Sequence, residues 1–189
     1  MEENELIQDT NLYEDIPEGE GRPKREMEVY RLLKRLEIPY KRLSHGPMAT
    51  IEACRGVDEL LDIHMCKNLF LCNGQKTAFY LLMMPGEKKF KTKELSKKID
   101  SSRLSFAPEE FMEEYLHILP GAVSVMGLMN DNENHVKLLI DEDVLKEEFL
   151  GCHPCVNTAS LKLRTKDMIE KFLPFVRHEY RVVHLEGAL

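Results

Sequence analysis

The chain has 189 residues, of which 43% are hydrophobic and 31% charged, and a formal net charge of −7; that is length for one domain with a sizeable core and the composition of a soluble globular protein. No apolar stretch approaches the roughly 18–20 residues a membrane span needs, the acidic N-terminus lacks a secretory pattern, and five cysteines beside ten methionines suit a reducing cytosol better than a disulfide scaffold. The negative charge does not exclude a nucleic-acid partner. Residues 1–20 hold Glu2, Glu3, Glu5, Asp9, Glu14, Asp15, Glu18 and Glu20 without Lys or Arg, which leaves 26 basic against 25 acidic residues in a nearly neutral body.

Residues 1–25 read as an acidic extension ending in the turn-forming run Gly19 to Pro23, with residues 26–189 as the domain. Disorder is the first expectation for such a tail, although Leu6, Ile7, Leu12, Tyr13 and Ile16 would allow it to dock. Met27, Tyr30, Leu33 and Leu36 recur at helical spacing until Pro39. Tyr40 to Leu43 reads as a short strand, and Thr50 to about Leu60 as a short helix. Lys67 to Cys72 and Thr77 to Met84 are apolar strands around Asn73-Gly74, a hairpin signal. A lysine-rich helix follows over Thr92 to Ile99, then a strand over Leu104 to Phe106 and a helix opened by Pro108 in its first turn. Pro120-Gly121 begins a loop. Val136 to Ile140 reads as a strand, Asp143 to Phe149 as a helix, Gly151 to Pro154 as a loop and Thr158 to Leu163 as a strand. Thr165 caps a helix to about Leu173, and Tyr180 to Leu185 is the last strand. The irregular mixture of strands and short helices favours one mixed α+β domain over a doubly wound nucleotide fold.

Several features carry chemistry. Cys152-His153-Pro154-Cys155 is a C-x-x-C, but its expected place between a helix and a strand is wrong for a thioredoxin-like thiol. It supplies two of the four ligands that zinc needs, and Cys54, Cys66 and Cys72 form no second pair, so no metal is expected. No nucleophile elbow, Walker loop, H-E-x-x-H or dinucleotide fingerprint is present. His45, His64, His117, His135, His178 and His184 have no distinguishing local context and read as surface or structural. His153 differs, lying between a glycine-started loop and a proline. Lys67-Asn68 heads the apolar Leu69-Phe70-Leu71 and reads either as a pocket-rim cation and amide or as a strand end reaching solvent. Lys88, Lys89, Lys91, Lys93, Lys97 and Lys98 form either a solvated helix face or a phosphate-contacting patch.

In order, Lys67 to Leu71, Phe79 to Leu82 with Pro85-Gly86, Arg103 to Ala107, Pro120 to Ser124 with Gly127-Leu128, and Gly151 to Pro154 with Asn157-Thr158 form a set. This set, spanning about residues 26 to 185, resembles the YbaK-like and prolyl-tRNA-synthetase-insertion (ProX-like) deacylases, especially the free-standing alanyl-tRNA(Pro) editing proteins. The resemblance implies a curved mixed sheet around a small pocket and hydrolysis of the ester between an amino acid and the terminal ribose of tRNA. It implies that Lys67 meets the phosphate or ribose end, that Asn68 helps orient it, and that the backbone of Gly121, Ala122, Val123 and Ser124 holds the 3′ adenosine and polarises the ester carbonyl. His153 would stand beside the pocket, supported by Asn157 and Thr158. Walls that admit only a small acyl group would come from Leu69, Phe79 or Met126. No cofactor is implied. The implied partners are the acceptor end of aminoacylated tRNA and, beyond it, prolyl-tRNA synthetase. The sequence departs at Val125, where the family often has a proline, so a loop that is looser or shaped by packing is expected. Two other readings stay open: a tRNA-binding or regulatory module of the same fold without turnover, and a thiol oxidoreductase through Cys152 and Cys155. A last expectation is that the acidic extension competes with tRNA for the lysine patch.

Overall fold

The structure, a computed structural model, describes residues 6–18, 21–48 and 55–187. Glu2, Glu3, Glu5, Gly19, Glu20, Cys54 and the expected helix start at Thr50 lie outside the described residues. In chain order come α1 (Lys24–Arg35), β1 (Tyr40–Ser44), α2 (Arg55–Leu61), β2 (Cys66–Asn73), β3 (Phe79–Pro85), α3 (Thr92–Lys98) and β4 (Leu104–Phe106). Next, α4 (Glu109–Phe111) runs into a π-helical turn, Met112–Leu116, and a 3-10 helix, Val125–Asn130, precedes β5 (Val136–Asp141). The chain ends with α5 (Glu142–Lys146), β6 (Phe149–Cys152), β7 (Ala159–Arg164), α6 (Thr165–Asp167), a π turn Met168–Phe172, α7 (Leu173–Phe175) and β8 (Tyr180–Val183).

The strands form a mixed five-stranded sheet, β4-β2-β3-β5-β8, and an antiparallel three-stranded sheet, β1-β7-β6. The β2–β3 hairpin runs from Cys66↔Pro85 to Cys72↔Phe79, and β5 and β8 are parallel to their neighbours. Alternation along the strands assigns each face its own cluster. Phe70, Cys72, Leu81, Met83, Leu138, Leu150, Leu161 and Leu163 meet α1 and the 3-10 helix in the main core. The opposite face of the larger sheet gives Leu71, Leu82, Met84 and Leu139 to Leu95 and Ile99. The opposite face of the smaller sheet gives Leu43 and Met65 to Val57 and Leu61.

Four expectations are corrected. The helix expected over Asp143 to Phe149 ends at Lys146; Glu147 is extended, and Phe149 enters β6 opposite Arg164. There its ring lies 4.6 Å from Lys162 Nζ and 5.5 Å from the Arg164 guanidinium carbon, so cross-strand pairing overrides the helical pattern. Gly151 and Cys152 are therefore strand, and the C-x-x-C follows a strand instead of a helix. Thr165 is the first helical residue rather than the cap, with its hydroxyl buried and unpartnered. Pro108 is the capping residue, one position ahead of the helix.

Within the extension, residues 6–18 are docked. Tyr13 bridges Arg42 in antiparallel register, and Asp15 accepts from the Arg42 guanidinium at 3.2 Å. Leu6, Ile7 and Leu12 pack against the α2 cluster. Glu14 and Asp15 meet Lys41 and Arg42 of β1, while Asp9 accepts from Asn11 and Tyr13 within the extension.

Candidate active site

Three stretches far apart in sequence are tied to one another at the start of β2. First, Met65 forms a parallel bridge with Gly151. The approach is close: a Cβ on Gly151 would lie 2.5 Å from Met65 Sδ and 3.3 Å from Met65 Cα, so a side chain does not fit without movement. Lys67 and His153 each follow this bridge by two residues. Second, Asn68 Oδ1 accepts from the Val125 amide at 3.1 Å. Third, Ser124 is wholly buried close to Cys152, where it opposes the upward shift that burial gives the thiol, and its oxygen accepts from Met126 N–H at the head of the 3-10 helix. The start of β2 is thus tied both to the 121–125 loop and to the end of β6, which leads into the 153–155 turn.

Gly121 has φ +82°, which disfavours a residue with a side chain. Ala122 is buried and its amide closes a turn on Leu119 O at 3.2 Å, while Val123 is half-buried against the main core. Of the two expectations for Val125, the structure has the loop shaped by packing. Its side chain is fully buried, and its N–H makes the bond to Asn68 that a proline could not make. Asn68 Nδ2 donates to Cys66 O at 3.3 Å, so this side chain fastens the loop to β2.

His153 is half-buried, and burial holds its imidazole below the usual histidine value. Its Nδ1 lies 2.8 Å from Ala159 O, an acceptor only, so Nδ1 carries the proton and Nε2 the lone pair. The ring of His45 sits 6.1 Å away. His45 Nδ1 donates to Gly46 O at 2.7 Å, which leaves Nε2 to accept from the Ser160 hydroxyl at 2.9 Å. Ser160 Oγ is in turn 3.4 Å from His153 Nδ1. Burial pushes His45 down to about 4, so both rings are neutral at pH 7. Asn157 and Thr158 hold this corner through their carbonyls, which accept from Met48 N–H at 2.9 Å and His45 N–H at 3.0 Å. Sequence reasoning missed His45, because its partner Ser160 is 115 residues away and no local spacing announces the pair.

A cavity of about 700 Å³ opens beside Lys67 and is lined also by Asp58, Cys66, Glu87, Lys89, Asp143 and Glu147. It carries both signs of charge. Burial raises the Asp58 carboxyl to about 6, and its Oδ1 is buried without a partner among the described residues. The cavity wall includes neither His153 nor the 121–124 loop.

Of the expected tRNA-contacting lysines, Lys89, Lys91 and Lys93 are exposed. Lys88 is turned inward onto Asp141 at 2.8 Å and Asp143 at 2.7 Å, where its charge is already matched. Phe79 and Met126, expected as pocket walls, sit in the main core; Phe79 stacks on Phe70 at 5.8 Å. Leu69 remains half-buried at the surface of the larger sheet. The four described cysteines are free and buried, and burial pushes the Cys66 and Cys155 thiols up to about 12. That environment disfavours the thiolate which redox exchange needs. Among the described residues no cluster of three His, Cys, Asp or Glu is arranged for a metal, and no helix is long and apolar enough to cross a membrane.

Comparison with known proteins identifies the family of the chain. A family model described as the aminoacyl-tRNA editing domain matches residues 45–171. The chain is 32% identical over 158 residues to a prolyl-tRNA editing protein ProX of Acetoanaerobium sticklandii, covering 83% of this chain and 95% of that one. It is 27% identical over 153 residues to a prolyl-tRNA synthetase associated domain-containing protein of Danio rerio, covering 80% and 82%. A solved structure, described as a candidate trans-editing enzyme for prolyl-tRNA synthetase, superposes with a TM-score of 0.62 at 12% identity over 87% of this chain and 99% of that one, a likeness of fold alone.

Proposed function

We propose that this chain, which belongs to the aminoacyl-tRNA editing domain family and is an aminoacyl-tRNA deacylase, acts in trans on mischarged proline tRNA, with alanine as the amino acid removed. The observation that supports this reading is a pair of ties, Met65–Gly151 and Asn68–Val125, which link the start of β2, where Lys67 lies, to the strand that leads into His153 and to the loop that begins at Gly121. A serine or cysteine triad is not needed for this chemistry. An aminoacyl ester is already a reactive acyl donor, and the terminal ribose offers a neighbouring hydroxyl to position water. The protein has to orient the ester and stabilise the oxyanion that forms on attack.

In this reading Lys67 takes the phosphate or ribose end, and the backbone of the Gly121 to Ser124 loop faces the carbonyl oxygen. Neutral His153 offers Nε2 as an acceptor to the attacking water or to the ribose hydroxyl. Asn68, Ser160 and His45 are positioning residues, the first for the loop and the other two for the His153 ring. The mixed charge beside Lys67 suits a substrate end that carries both a phosphate and an α-ammonium. Specificity is a matter of size, since a synthetase pocket built for proline cannot strongly reject alanine by contacts alone. The test is hydrolysis of proline tRNA charged in turn with alanine, cysteine and proline. Alanine released fastest and proline retained is the expected pattern; equal loss of all three would remove the specificity claim.

A further inference from the structure

Phe106 is the most exposed large hydrophobic side chain among the described residues, at 61% of its surface. It ends the edge strand β4, opposite Leu71 of β2, and its backbone neighbour Ala107 donates to Phe70 O at 2.9 Å, so the ring stands on a fixed edge. A single exposed phenylalanine is ordinary, but this one has company. Phe90 packs edge-on against it at 6.5 Å, and Lys89, Lys91, Lys93 and Arg103 are exposed on the same two segments. Lys89, next to Phe90, lines the cavity that Lys67 lines. The segment that carries Phe90 therefore also contributes a lysine to the cavity beside Lys67.

Register sets the scale. Lys67 and Leu71 lie four residues apart on β2, and partners across an antiparallel pair share a face. Phe106 therefore stands on the Lys67 face about 13 Å along the strand. An exposed ring flanked by cations is what proteins offer to unpaired bases, which stack on it while the phosphates meet the lysines. We propose that Phe106, backed by Phe90, is a stacking platform for an unpaired nucleotide of the substrate's 3′ end, a few positions before the terminal adenosine. The proposal rests on the tRNA reading above and names a base contact that the reading leaves open.

The experiment compares binding of two RNA hairpins to the full chain, one with a single-stranded ACCA 3′ end and one blunt, for wild type, Phe106→Ala and Phe106→Trp. Phe106→Ala should weaken binding of the tailed hairpin about 5- to 150-fold and leave the blunt one unchanged, while Phe106→Trp should stay near wild type. Because the side chain is largely exposed, the alanine variant is not a core deletion, and a melting curve checks this. Tailed and blunt hairpins weakened equally, no change with Phe106→Ala, or a wild type indifferent to the tail would each overturn the platform. Deacylation is measured separately on the same wild type. Ester hydrolysis with Phe106 indifferent sinks the platform alone, and tail binding through Phe106 with every ester left intact sinks the hydrolase reading alone.

Discussion

Replacing Gly151 with alanine adds one methyl group where β6 meets the start of β2. The new Cβ would sit 2.4 Å from Ile63 Cδ1, 2.5 Å from Met65 Sδ and 3.3 Å from Met65 Cα. The two side-chain ends can swing aside, but the Met65 backbone cannot without loosening the Met65–Gly151 bridge. Overpacking of this kind costs about 1–3 kcal/mol, and for a chain of this length each kcal/mol lowers Tm by about 2–4 °C, so the expected fall is about 2–12 °C. The larger effect belongs to activity. Lys67 and His153 both follow the bridge by two residues, and displacement by an ångström can cost on the order of 100-fold in rate. A thermal melt and a single-turnover deacylation assay read the two effects. Gly74→Ala, at a hairpin position with nothing within 4 Å of the added methyl, is the control and should leave both unchanged. Wild-type melting and wild-type rate in Gly151→Ala would refute the claim that the strands meet this closely and that their meeting aligns the site.

Lys67→Ala and His153→Ala should each slow alanyl-tRNA(Pro) deacylation by about 10- to 1,000-fold with the circular dichroism spectrum retained; full activity in both would put the site elsewhere. A second set of measurements concerns pH. His45 protonates near 6.5 in the unfolded chain and near 4 when folded, so between these values the unfolded chain binds more protons and stability falls as pH falls. The full loss is about 3 kcal/mol, reached by about pH 4. Asp58, raised to about 6, works in the opposite direction over part of that window, so the quantity to measure is the difference in urea midpoint between wild type and His45→Gln at pH 7 and pH 4.5. A difference that does not change with pH would mean that His45 is not buried neutral. Finally, Cys155→Ala should keep most of the deacylase rate, because the thiol is buried with its pKa pushed up to about 12; loss of activity in a well-folded variant would revive a thiol mechanism.

The elements most legible in the sequence were those with local causes. Asn73-Gly74 between two apolar runs announced the β2–β3 hairpin, and the spacing of Met27, Tyr30 and Leu33 announced α1. What the sequence concealed was decided across distance. Phe149 reads as the end of a helix until β7 supplies Lys162 and Arg164 to pack its ring. His45 looks ordinary until Ser160 connects it to His153. Val125 looks like the loss of a stiffening proline, and only the fold shows that its amide is the donor that fastens the loop to Asn68. Lys88 and Lys89 are indistinguishable in a lysine-rich run, yet one is matched by Asp141 and Asp143 while the other faces the cavity.

The most direct measurement is release of alanine from alanyl-tRNA(Pro) by purified wild-type protein and by Lys67→Ala, both shown to be folded by their melting curves. Hydrolysis well above the spontaneous rate for wild type, cut at least about 10-fold in the variant, is the expected result. A wild type no faster than buffer, or a variant as fast as wild type, would contradict the assignment of ester hydrolysis to the end of β2.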